Sequence, residues 1–153
     1  MTGTPYTREF LALTVCQPYA HLMFADPAEL IPYGIERKRI ENRRWPTTYR
    51  GPLAIHAGKS RAWLGPDDAA RFPTMIFGAV IGLVDLIGCV RYDPGRGPVD
   101  FSRAGSFAWV VGNQHAEGPY CFLLDQPRLL RQPFYVPGRL GLWPVDVPEE
   151  LLP

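Results

Sequence analysis

The sequence predicts an α+β protein that is mainly β: a small, partly closed β-barrel of about six strands with two or three short flanking helices. Three observations predict it. Apolar and polar residues alternate over several short segments, as half-buried strands require. Gly and Pro number 15 and 17 among 153 residues, so many turns separate short elements. The longest apolar segment, residues 77–92, is apolar on both alternation faces, as in a central strand covered on both sides.

Each element follows from its local pattern. Leu11, Leu13 and Val15 share one face of a strand over 11–15. Pro18 suits the first turn of a helix, and Tyr19, Leu22 and Met23 recur at helical spacing. Asp26 caps a second short helix through Ala28, Glu29, Leu30 and Ile31, which Tyr33-Gly34 ends. A short strand over 39–43 is followed by a turn at Trp45-Pro46. Residues 51–57 form a strand with Leu53 and Ile55 on one face and Ala54 and His56 on the other. Gly65-Pro66-Asp67-Asp68 starts a short helix to Phe72, its aspartates at the positive end. Gly78, Gly82 and Gly88 mark bulges or close backbone approach within 77–92. A polar loop over 93–103 follows, and strands over 107–111, 120–124 and 142–147 complete the set. Residues 11–147 read as one domain, with tails at 1–10 and 148–153.

Composition excludes several classes. Apolar residues are 46% and charged residues 20%, an ordinary soluble balance. No apolar run reaches the roughly 18 residues of a membrane helix, and residues 1–10 are polar, without a secretory pattern. A cytoplasmic monomer without membrane contact is the expectation. Cys16, Cys89 and Cys121 are scattered, as are His21, His56 and His115, so neither a disulfide framework nor a zinc site is expected. No cofactor motif is present. Walker-type phosphate loops, H-E-x-x-H and the nucleophile elbow are all absent.

Charge is concentrated. Between Glu36 and Arg61 stand eight basic and two acidic residues, a net +6 within a chain whose total is +1. Arginine accounts for 14 of the 16 basic residues. Such clustering is the footprint of an anionic partner, or else a solvated, ion-paired face. Aromatic and amide residues are interleaved with it. Gln17 and Asn42 can read hydrogen-bonding edges, Tyr19, Trp45 and Tyr49 can stack on a base, and Arg43 and Arg50 can hold phosphates. Each also has a structural reading. Trp45 and His56 suit a barrel interior, Glu41 suits an ion pair with Arg43 or Arg50, and Gln17-Pro18 suits a strand-to-helix turn.

The ordered motifs Leu-Thr-Val-x-Gln-Pro-Tyr-Ala, Lys-x-Ile-Glu-Asn-Arg-x-Trp, Tyr-Arg-Gly-Pro-Leu and Ile-His-Ala-Gly resemble an ASCH domain. The resemblance continues through Gly78-Ala-Val-Ile-Gly82-Leu-Val-Asp85 and Gly138-Arg-Leu-Gly141-Leu-Trp143, and spans roughly 11–147. It implies a PUA-like β-barrel and a cleft that binds RNA or modified bases. Carried over by position, the cleft residues are Gln17, Lys38, Glu41, Arg43, Trp45 and Arg50, with His56 as a further candidate. Two departures stand out. Residues 26–37 resemble an insertion at the cleft entrance. Glu41 also occupies the place of a Thr in small members that resemble amidohydrolases of N4-acetylcytidine.

Three functions follow as expectations. The first is binding of RNA, another nucleic acid or a modified nucleoside. The second is hydrolysis of RNA or of an N-acylated cytidine, with Lys38 as base or nucleophile and Glu41 as proton donor and acceptor. The third is a protein-interaction adaptor. Strand parity sets a condition on the second. Lys38 and Glu41 share one cleft only if Lys38 lies in the turn before the strand.

Overall fold

The computed structural model describes residues 6–99 and 107–153. It is mainly β, 43% strand against 16% helix, as the alternation predicts. The strands are β1 (Thr7–Val15), β2 (Ile40–Arg43), β3 (Gly51–Ala57), β4 (Ala79–Asp93), β5 (Gly97–Pro98), β6 (Tyr120–Tyr135) and β7 (Leu142–Pro148). The α-helices are α1 (Tyr19–Phe24), α2 (Pro27–Leu30) and α3 (Asp68–Arg71). The strand order is β2-β6-β4-β3-β1-β7, with β5 paired to β4. β1 and β3 run parallel, and the crossover between them carries α1, α2 and β2.

The expected partly closed barrel is instead an open seven-stranded sheet, with β2 and β7 as its edges. A side chain spans part of the gap. Arg43 on β2 donates from Nη2 to the Thr14 carbonyl of β1 at 2.8 Å, although β6, β4 and β3 lie between these strands in the ladder.

Both faces of the sheet are covered, which explains why its central strands are apolar throughout. One face packs Leu13, Val15, Leu53, Ile55, Val84, Leu86 and Phe122 against Ala20 and Met23 of α1. The other packs Phe10, Ala12, Ala54, Val80, Leu83, Trp143 and Val145. Gly82 lets α1 approach, because a Cβ there would collide with the Phe24 ring and the Arg128 carbonyl. Asp26 caps α2 as expected, accepting from the Ala28 N–H at 2.9 Å. Gly34, at φ 66°, ends the turn that follows.

Four local readings change. Residues 107–111 contain a 3₁₀ helix, Ala108–Val110, rather than a strand. Phe107 and Val110 point together into a cluster with Ile40, Cys121 and Leu123, a spacing of three that a short apolar run conceals. The strand expected over 120–124 runs on to Tyr135. Pro127 and Pro133 obscure it, yet register shifts along the β4–β6 ladder accommodate the extra residues. Residues 7–10, read as part of a tail, pair with β7, from Thr7 opposite Pro148 to Phe10 opposite Val145. Of the loop over 93–103, Gly97–Pro98 pairs back on β4, and positions 100–103 lie outside the described residues.

Candidate functional site

α1, the segment before β2 and the loop before β6 surround a cleft of about 620 Å³. Lys38 lies two residues ahead of β2, and its backbone N–H donates to the Leu22 carbonyl at 2.9 Å. That contact holds Lys38 against α1 and outside the strand alternation. The parity condition is therefore met, and Lys38 Nζ stands 3.6 Å from Glu41 Oε1. Glu41 Oε2 accepts from Arg43 Nη2 at 2.7 Å. The Lys38 and Glu41 side chains are only 4% and 10% exposed, so this is a buried charge cluster and not a solvated pair.

Burial pushes the Lys38 ammonium below its ordinary value, and the Glu41 charge opposes that without cancelling it. The Tyr19 ring covers the amine, with its centroid 5.4 Å from Nζ. Across the cleft, His115 Nε2 lies 2.7 Å from the Glu36 carbonyl. A carbonyl only accepts, so Nε2 carries the proton. Burial also lowers the His115 pKa, which favours the neutral ring with Nδ1 as an acceptor.

Of the ten residues singled out in the sequence, Tyr19, Lys38, Glu41, Asn42 and Arg43 line this cleft. The Asn42 side chain is already engaged. Its Nδ2 donates to the His115 carbonyl at 2.8 Å, and its Oδ1 accepts from the Glu117 and Gly118 N–H groups, each at 2.9 Å. It anchors the loop, and one Nδ2 hydrogen is left over from these bonds.

The other five lie elsewhere. Gln17 is fully buried, donates to the Ile76 carbonyl at 2.7 Å and accepts from the His21 N–H at 2.8 Å, so it fixes the start of α1. Trp45 packs edge-on to Phe122 at 5.1 Å, against the core. Tyr49 packs on the same core and donates its hydroxyl to the Pro52 carbonyl at 2.5 Å. Neither ring is presented in the cleft as a stacking platform. Arg50 is exposed and donates to the Thr47 and Tyr49 carbonyls at 3.0 and 2.7 Å. His56 is buried, donates from Nε2 to the Val136 carbonyl at 2.7 Å and meets the Trp143 ring edge-on.

The cleft also contains residues the sequence reading passed over: Cys16, Trp63, His115 and Glu117. Trp63 had a signal, since it follows the basic stretch two residues after Arg61; in the structure the residue is 64% exposed. His115 and Glu117 had none. The β2–β6 pairing and the Asn42 anchor bring their loop to the site.

Chemically, the cleft combines a buried cation–carboxylate–cation cluster with exposed aromatic surface from Tyr19 and Trp63. Among the described residues no group of three or more His, Cys, Asp and Glu is placed to hold a metal ion, and no helix is long and apolar enough to cross a membrane. Compared with known proteins, the chain matches no family model and shows no significant similarity to a curated protein.

Proposed function

We propose that the chain is an ASCH-like module of PUA type that takes one base of an RNA, or a modified nucleoside, into this cleft. The observation that carries the reading is the buried Lys38–Glu41–Arg43 cluster beside the exposed rings of Tyr19 and Trp63. The aromatic faces supply stacking, and the cluster supplies donors and an acceptor for a base edge. A volume of about 620 Å³ lies in the range of small-ligand pockets. Because Trp45 and Tyr49 pack against the core and do not line the cleft, the reading takes one base and not a stacked run. Exposed Arg44, Arg50, Lys59 and Arg61 remain for the phosphate chain.

The test is a titration of labelled single-stranded RNA and of free nucleosides, including N4-acetylcytidine, with the ligand checked for integrity afterwards. Saturable binding, weakened at least about tenfold in Lys38→Ala, is the expected result. Failure to bind any of these ligands overturns the reading.

One observation favours a second reading, a hydrolase acting on RNA or an N-acylated cytidine. Burial favours the neutral, nucleophilic form of the Lys38 amine, and Glu41 stands 3.6 Å away to move a proton. Under this reading, chromatography of the same samples shows shortened RNA or released nucleoside, and Lys38→Ala abolishes the turnover. Intact ligand throughout excludes it.

A further inference from the structure

A second cavity, of about 560 Å³, shares no lining residue with the cleft. α1 divides the two. Gln17, His21 and Phe24 face the second cavity, whereas Tyr19 and Leu22 face the cleft. The chain just before β2 divides them again, with Arg37 on one side and Lys38 on the other.

Phe24, Ile76, Ile81 and Leu129 make much of the wall apolar. The polar lining is unevenly satisfied. His21 and Glu29 pair at 2.7 Å, and Asp26 caps α2. Arg37 forms no ion pair among the described residues, and its Nε is buried without a hydrogen-bond partner. That Nε is enclosed and out of a ligand's reach, so the groups that can meet one are the terminal Nη atoms, whose planar fork fits a carboxylate. Asp26 and Glu29 in the same wall would repel a dianion, so a single negative charge fits better than a phosphate.

We propose that this cavity binds a small monocarboxylate with an apolar body, its carboxylate on Arg37 and its body against Phe24, Ile76, Ile81 and Leu129. Two sources share this chemistry, a simple aliphatic acid and an apolar α-amino acid. The proposal is independent of what the cleft binds.

The test is an amide-resolved NMR titration of the full chain with 4-methylpentanoate, with leucine, and with 4-methylpentanamide. Saturable shifts centred on Phe24, Ile81 and Leu129 are expected with at least one of the acids, and at least tenfold weaker binding with the neutral amide. Tighter binding of leucine supports the proposal and assigns its ammonium to Glu29 and Asp26. Tighter binding of the pentanoate supports it with an acid that lacks that group. Arg37→Gln should weaken binding about tenfold or more. Leu129→Glu should also weaken it, by charge repulsion from a position 56% exposed, where folding tolerates the change. No saturable shift at these residues with either acid, equal binding of the amide, or unchanged affinity in Arg37→Gln would overturn it.

Discussion

Glu41 lies between two cations that serve it differently. Arg43 makes a direct 2.7 Å contact and also reaches the Thr14 carbonyl, whereas Lys38 stands 3.6 Å away with its charge desolvated. Arg43→Met leaves Glu41 and that carbonyl without their donor and should cost about 2–3 kcal/mol, read by urea unfolding. Lys38→Met leaves the Glu41–Arg43 contact intact and should cost less. The two variants also differ in their response to pH. Unfolded, Lys38 keeps its proton up to about the ordinary 10.5, whereas folded it releases the proton earlier. Between those values the unfolded chain binds more protons, so the Lys38 contribution to stability rises with pH and is lost as pH falls through the folded value. Tyr19 and Cys121 act in the opposite sense. Burial raises both, so their contributions are present below the ordinary 10.0 and 9.0 and are lost as pH rises through their folded values. The stability of wild type minus that of Lys38→Met isolates the lysine. This difference should increase as pH approaches 10.5, and a flat or falling difference in chemical denaturation would contradict the desolvation account.

At the scale of elements, α1 controls the cleft. It carries Tyr19 and Leu22 on one side and seats Phe24 over Gly82 of β4 on the other. Gly82 has ordinary strand geometry, so its requirement is steric. Gly82→Ala should therefore destabilise by about 1–3 kcal/mol, the cost of overpacking, and should displace α1 from the sheet. Urea unfolding reads the first effect, and amide shifts at Tyr19 and Lys38 read the second. A substitution that leaves both unchanged would mean the helix is seated by other contacts. The loop before β6 is the cleft's other wall, and the Asn42 hydrogen bonds hold it.

For the whole molecule, folding divides the +6 segment: Arg37 lines the second cavity and Arg39 pairs with Asp125. Lys38 and Arg43 enter the cleft, whereas Arg44, Arg50, Lys59 and Arg61 stay exposed. If those four each meet a phosphate of single-stranded RNA, the salt slope is about −2.8, roughly a 50-fold loss of affinity between 50 and 200 mM salt. Free-nucleoside binding should lack this dependence, since no phosphate chain is present. Parallel titrations at the two salt concentrations check both. Local pattern by itself determined the mainly β class, strands at 11–15, 39–43, 51–57, 77–92 and 142–147, and the Asp26 cap. Each depends on near neighbours: alternation or a capping side chain. Only the tertiary structure decided the rest. Trp45, Tyr49 and His56 have ring chemistry that suits a ligand or a core equally, and only folding packs them against Phe122, the core and Trp143. His115 and Glu117 joined the site through pairing between β2 and β6, segments far apart in the chain. The barrel remained open for the same reason, because closure depends on whether the two edge strands meet, and no local pattern encodes that long-range pairing.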